Sequence, residues 1–332
     1  MSTDLKKSAS DREKASTLEE REKKIAEVRA AICPLPETLS RFSSDDSISR
    51  YLRARNWNVK KATKMLKETL KWRVQYKTDD IRWEDIASEA DSGKIYRSTS
   101  VDKKGRPVLV MRPSCQNSNS VAGQIKYFVY CMENAILNLP PNQEQMVWLV
   151  DFWNFSLSNI SIKSTKETAY VLQNHYPERL GMAILYNPPR MFEQFYSVVK
   201  PFLEPKTRNK VKFVYADDAN SIKIMEEIFN MDQLEPSFGG KSTESFDIQK
   251  YAQRMKEDDV KKHTFLEKGL GPFASTSSNG LTNVGDEPSE EEDDSDDQRS
   301  SSSKAGKSPG FPQDTSLSVT NMSLADVGDV KA

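Results

Sequence analysis

Two short polar runs carry most of the chemistry this sequence offers. One is Tyr176-Pro177-Glu178-Arg179, and the other is Pro205-Lys206-Thr207-Arg208-Asn209-Lys210. Lys206, Arg208 and Lys210 with the Thr207 hydroxyl form a set able to hold a phosphate, since cationic side chains donate charge-assisted hydrogen bonds to its oxygens. A basic surface loop with no ligand has the same composition, and on these residues alone the two readings weigh equally. Catalysis has thinner support. The chain holds 2 histidines, His175 and His263, and His175, next to Tyr176-Pro177, reads as a structural histidine rather than a base. No nucleophile elbow, zinc-protease helix or dinucleotide fingerprint occurs. Gly240-Lys241-Ser242 imitates the end of a phosphate loop, but Glu235 stands where that loop needs glycine. No nucleotide site, cofactor or metal is expected.

The apolar counterpart of these runs is the stretch 190–203. Met191, Phe192, Phe195, Tyr196, Val199, Phe202 and Leu203 give it a very wide apolar stripe. Periodicity alone favours a core helix packed on a sheet. The alternative is a mobile wall over a hydrophobic cavity, with Pro201 weakening the helix end.

These residues need a scaffold to place them. The sequence alternates strands and helices beyond residue 100, with strands at Pro107–Met111, Met146–Phe152, Met182–Tyr186 and Val211–Tyr215. Helices fall between them, from Val121 to Ile136, over 163–174, over 190–203 and over 221–229. Short connections between alternating elements predict a mostly parallel sheet. Ahead of it, Ser43-Ser44-Asp45-Asp46 and Asn58 supply N-caps for two helices within 43–76. Residues 1–40 form a charged extension, helical in part through Leu18, Ile25, Val28 and Ile32.

Composition limits the function classes. The 332 residues carry a net charge of −1 with 36% apolar content, below that of a fully folded globular chain. The deficit lies in residues 272–332, where 12 acids face 4 bases from residue 271 onward; this acidic, serine-rich tail is expected to be disordered. The 41–270 region then holds about +7, which suits an anionic membrane surface but falls short of a nucleic-acid binder. The 3 cysteines are widely spaced, so neither a disulfide framework nor a zinc site is indicated. With no secretory leader or spanning segment apparent, a cytoplasmic, soluble chain with transient membrane association is expected.

Taken in order, the motifs resemble the CRAL-TRIO lipid-binding family, in its phosphatidylinositol-transfer branch. Arg50-Tyr51-Leu52-Arg53-Ala54-Arg55 is similar to the family's RFLRAR signature and Lys71-Trp72-Arg73 to its KWR. Asp102–Pro107 resembles its D-x-x-GRPV turn, and Asn174-His175-Tyr176-Pro177-Glu178-Arg179 its NYYPER. Asn187-Pro188, Lys200-Pro201-Phe202-Leu203 and Phe238-Gly239-Gly240 follow in family order. The resemblance implies an α/β fold: a helical unit at 41–76, then a lobe at 77–250 whose mostly parallel sheet floors a hydrophobic lipid pocket. It implies a gate helix bearing Phe192, Phe195, Tyr196, Val199 and Phe202. It maps phosphoinositide-headgroup contacts onto Arg55, Glu178, Thr207 and Lys210. Where phosphatidylcholine-binding members use a serine and a threonine, this chain has Met146 and Trp148, which argues against that lipid as exchange partner. The implied function is non-enzymatic: loading of phosphatidylinositol, and its transfer between membranes or presentation to a phosphoinositide kinase. A monomer is expected, and a second hydrophobic ligand remains open. The competing readings are a carrier of a sterol, tocopherol-like molecule or retinoid, and a signalling adaptor with a vestigial pocket.

Overall fold

The computed structural model describes residues 18–156, 158, 161–190, 192 and 209–267. The chain divides into units at Met1–Ser277 and Ser278–Ala332. The acidic tail lies outside the described residues, as do Phe195, Tyr196, Val199, Phe202 and Thr207.

The N-terminal part is helical: α1 Leu18–Ile32, α2 Glu37–Ser40, α3 Asp45–Ala54 and α4 Val59–Tyr76. The caps sit where the side-chain chemistry places them. The Ser44 hydroxyl accepts from the Ser47 amide at 3.3 Å, and the Asn58 carbonyl oxygen from the Lys61 amide at 2.9 Å. Between the helices Asn56 and Trp57 adopt positive φ, reversing the chain in a tight turn. One cluster joins Val28 and Ile32 of α1 to Ile48 and Leu52 of α3 and to Met65, Leu66 and Leu70 of α4. The charged extension thus contributes a packed helix to the helical unit, not only a surface one.

Next come α5 Trp83–Ala90, β1 Ile95–Val101, β2 Pro107–Met111, α6 Val121–Leu137, β3 Met146–Asp151, α7 Ile162–His175, β4 Leu180–Tyr186, β5 Val211–Val214, α8 Ala219–Ile228 and α9 Ile248–Glu267. The five strands form one sheet in the order β1-β2-β3-β4-β5. β1 pairs antiparallel to β2, and every later pair is parallel. The expected strands and the mostly parallel sheet are therefore present. Three elements escaped the sequence pattern: α5, the antiparallel edge strand β1, and α9.

The β1–β2 turn is built by Asp102. Its carboxylate accepts the amides of Lys104 and Arg106 at 3.0 and 2.8 Å and the Arg106 Nε at 2.7 Å. Gly105, at φ 72°, supplies the left-handed residue that closes it. The D-x-x-GRPV run is thus a tight turn with its cation buried against its own acid.

The candidate lipid cavity and its headgroup end

Pleating gives the sheet two faces. Tyr96, Val108, Val110, Val147, Leu149, Ile184 and Val214 are fully or almost fully buried. The alternate residues Ile95, Met111, Trp148, Val150, Ala183, Leu185 and Val211 line a cavity of about 560 Å³. Register brings them side by side, with Met111 opposite Val150, Trp148 opposite Ala183, Val150 opposite Leu185, and Ala183 opposite Val211. The cavity roof comes from α6 through Phe128 and from α7 through Thr165, Ala169 and Leu172. Phe192 also lines it, its ring 5.1 Å from Phe152 and 6.4 Å from Phe155.

One end of this apolar chamber is ionic. Arg55, Glu178 and Lys210 all line it, and the Lys210 ammonium lies 3.8 Å from the Glu178 carboxylate. Three separate elements supply them. Arg55 is the C-cap of α3; Glu178 sits between α7 and β4; Lys210 immediately precedes β5. Glu178 holds φ 60°, a conformation that an ordinary residue adopts only where its surroundings enforce it.

Much of the motif chemistry fixes these positions rather than facing the cavity. Arg50 binds Glu144 at 2.8 Å and Arg53 binds the same carboxylate, tying α3 to the segment before β3 and so aiming Arg55. Arg73 grips Glu133 at 2.6 and 3.0 Å and Asp79 at 2.8 Å. Burial opposes both charges, yet the Arg73 guanidinium holds the Glu133 carboxyl below its usual range, and Glu133 raises Arg73. Tyr176 donates its hydroxyl to Glu133 at 2.7 Å, which anchors the backbone just before Glu178. His175 stacks on Trp72 with ring centroids 4.1 Å apart, and burial pushes it down to about 4. It is a neutral packing histidine. Gly240, in the phosphate-loop lookalike, is pressed against the Leu234 carbonyl where no Cβ fits, and Lys241 reaches Asp232 at 3.7 Å.

Three of the four residues mapped to a headgroup, Arg55, Glu178 and Lys210, line the same cavity, and Glu178 and Lys210 meet there; Thr207 lies outside the described residues. Of the five gate positions only Phe192 is described, and it lines the cavity. Trp148 also lines it, packed edge-on against Phe128 at 5.8 Å. Met146 does not. It is fully buried in the main core at the start of β3, where a register irregularity follows it and its amide bonds the Arg179 carbonyl at 2.9 Å.

The far end of the cavity holds polar residues that the sequence pattern did not single out: Lys94, Arg112, Gln116 and Gln124. Arg112 donates to the Tyr96 hydroxyl at 2.8 Å and approaches Glu235 and Asp151 at 3.6 and 3.8 Å. Its signal was available, as a lone cation directly after the apolar strand β2.

Comparison with known proteins fits this geometry. The family model of the CRAL/TRIO domain matches residues 91–240, and that of the CRAL/TRIO N-terminal domain matches residues 5–68. The chain belongs to the CRAL/TRIO family. It is 30% identical over 217 residues to the SEC14 cytosolic factor of Candida glabrata, covering 60% of this chain and 71% of that protein. A CRAL-TRIO domain-containing protein of Schizosaccharomyces pombe is 34% identical over 213 residues, 64% of this chain, and the phosphatidylinositol transfer protein PDR17 of Saccharomyces cerevisiae is 32% identical over 193 residues, 54% of this chain. The chain spans only 20% and 55% of the lengths of these last two. The crystal structure of Sfh5 superimposes with a TM-score of 0.54 at 14% identity, covering 76% of this chain and 98% of that one, so the CRAL/TRIO fold is shared. No helix among the described residues is long and apolar enough to cross a membrane.

Proposed function

We propose that this CRAL/TRIO protein loads phosphatidylinositol and exchanges it with membranes, moving the lipid or presenting it to a phosphoinositide kinase. The carrying observation is that Arg55 and the Glu178–Lys210 pair line one largely apolar chamber. Lysine and arginine can take the phosphodiester, and a carboxylate can accept inositol hydroxyls. Thr207 completes this set in our reading. The name of the relative PDR17, a phosphatidylinositol transfer protein, supports the same lipid class, and the ionic set disfavours a carrier of sterols or retinoids.

A lipid enters a closed chamber only if a wall moves, and a membrane favours a wall that exposes apolar side chains. In this reading the wall is the 190–203 stretch, including Phe195, Tyr196, Val199 and Phe202. Trp153, 70% exposed, follows Phe152, whose ring packs on Phe155 and Phe192, and supplies an interfacial aromatic. The test is an exchange assay with labelled phosphatidylinositol and labelled phosphatidylcholine side by side, with native mass spectrometry of the copurified lipid. Phosphatidylinositol transfer is expected. Transfer of neither lipid overturns the assignment, and equal transfer of both overturns the exclusion of choline by the Trp148 floor.

A further inference from the structure

The outer face of α4 is a line of lysines. Lys60, Lys64, Lys67 and Lys71 are all exposed. At 3.6 residues per turn they fall with Val74 on one arc of about 80°, over a length of about 21 Å. Val74 is 61% exposed. Lys61 is exposed beside them, and Glu68 is the one acid in the helix. Glu68 lies 3.8 Å from Lys64, with both side chains mostly in solvent. Among the described residues no acid pairs with Lys60, Lys61, Lys67 or Lys71.

This pattern works against the helix that carries it. Lysines three and four residues apart repel one another along its surface. Lys60 and Lys61 also occupy the first turn, which holds no acid and where the helix macrodipole disfavours cations. Other helices of the chain follow the opposite rule. α1 opens on Glu19 and Glu20, α3 on Asp45 and Asp46, and α5 on Glu84 and Asp85. Local rules are broken without local compensation where function requires it.

The inner face of α4 is fixed. Met65, Leu66 and Leu70 join the helical core, the Thr69 hydroxyl donates to the Asn174 carbonyl at 3.0 Å, and Trp72 stacks on His175. Asn174 and His175 end α7, whose Thr165, Ala169 and Leu172 roof the lipid chamber. The lysine line is therefore one helix away from the lipid. We propose that it is the surface through which the protein docks on an anionic phospholipid bilayer, an inference that rests on the exchange reading above and names the face that meets the membrane. A straight row of cations matches a charged plane, and anionic lipids attract such polybasic helix faces. Val74 adds an apolar side chain able to enter the interface. The arc carries no arginine fork and no aromatic ring on which a base could stack.

The experiment measures cosedimentation of the full-length protein with vesicles of phosphatidylcholine alone and of equal parts phosphatidylcholine and phosphatidylserine. Binding to the anionic vesicles only is expected, weakening as salt is added. One lysine near an anionic surface is worth about fivefold in affinity, so changing Lys60, Lys64, Lys67 and Lys71 together to Gln should weaken binding on the order of a hundredfold or more. The melting temperature of this variant should be unchanged or higher, since repulsion along the helix has gone and glutamine favours helix about as well as lysine. The same four positions changed to Arg should bind as wild type does. Lys223, Lys241, Lys250 and Lys256, all exposed and outside α4, changed to Gln make the control of equal net charge, which should keep most of the binding. The proposal is overturned if wild type binds neither vesicle or both equally, or if the control loses as much as the α4 variant. It is also overturned if the α4 Gln variant binds as wild type does, which would give the stripe to another occupant such as an acidic protein. Vesicle binding is read without lipid transfer. A wild-type protein that carries no phosphatidylinositol, yet docks through these lysines, would sink the exchange reading and leave the docking surface standing.

Discussion

The two faces of the sheet are made from the same strands and nearly the same amino acids, yet they meet different fates. On one face Val147, Leu149 and Ile184 are wholly buried by protein. On the other, Trp148, Val150 and Leu185 keep part of their surface open to the cavity. Described side chains complete the first face, whereas the second leaves apolar area open to the cavity. Along β3 this alternation is written in burial rather than in hydrophobicity, because all of Met146 to Val150 is apolar. A fully apolar strand therefore need not mean two packed faces, and the apolar wall of a carrier looks like core until its partner layer is known.

The largest expected effect separates the faces by stability. Leu149→Ala, on the packed face, should cost about 2–5 kcal/mol of unfolding free energy, from lost transfer energy and the void left behind. Leu185→Ala, which only enlarges an existing cavity, should cost under about 1.5 kcal/mol. Urea denaturation of lipid-free protein measures both. Equal costs would mean that the cavity face is as tightly packed as its reverse.

The headgroup end should respond in the opposite sense. Glu178→Ala with Lys210→Ala removes two charged groups from a desolvated site, each worth about 1.5–3 kcal/mol to a bound ligand. Phosphatidylinositol loading should then fall about a hundredfold or more, with the melting temperature close to wild type. The Glu178–Lys210 separation of 3.8 Å and the partial exposure of both side chains make their own pairing a minor contributor to stability. Wild-type transfer by this variant would remove the assignment.

Acid should act mainly on the packed scaffold that supports that end. His175 is pushed down to about 4 when folded, against about 6.5 unfolded. The unfolded chain therefore binds the extra proton between these values. The stability that comes from keeping the ring neutral is complete above about pH 6.5 and is lost as pH falls toward 4, by up to about 3 kcal/mol. His175→Phe, which keeps an aromatic stack on Trp72, should flatten stability across this window. A slope unchanged in the variant would assign the acid sensitivity elsewhere.

The sequence exposed the scaffold better than the cavity, for physical reasons. Caps such as Ser44 and Asn58 act within three residues, so local pattern reveals them. Family resemblance led to Arg55, Glu178 and Lys210, but it could not show that Arg50 and Arg53 share Glu144 across more than ninety residues. β1 stayed hidden because Arg97, Ser98, Thr99 and Ser100 carry no apolar alternation; Ser98 is buried by bonding Ser100 and Glu235. α9 reads as a charged helix, yet Asp258 and Asp259 are buried against Arg97, Asn134, Tyr130 and the Trp83 amide. The resemblance implies a cavity position for Met146, which burial in the core at the start of β3 denies it.

The smallest expected effect tests whether Trp148 belongs to the floor by shape or by polarity. Its indole nitrogen is buried with no hydrogen-bond partner, while its ring meets Phe128 edge-on. Trp148→Phe keeps an aromatic contact and removes the unsatisfied donor, so the gain from the lost donor should offset the smaller apolar surface. Stability of the lipid-free protein should change by less than about 1 kcal/mol, and phosphatidylinositol exchange should be unaltered. Trp148→Thr restores the small polar type found in phosphatidylcholine-binding relatives, and it should open space on the cavity side without collapsing the packed face. If exclusion of choline rests on the bulk of this one ring, the Thr variant gains measurable phosphatidylcholine transfer and the Phe variant does not. Gain in both would assign the exclusion to the indole alone, and gain in neither would move it away from the sheet floor to the walls above.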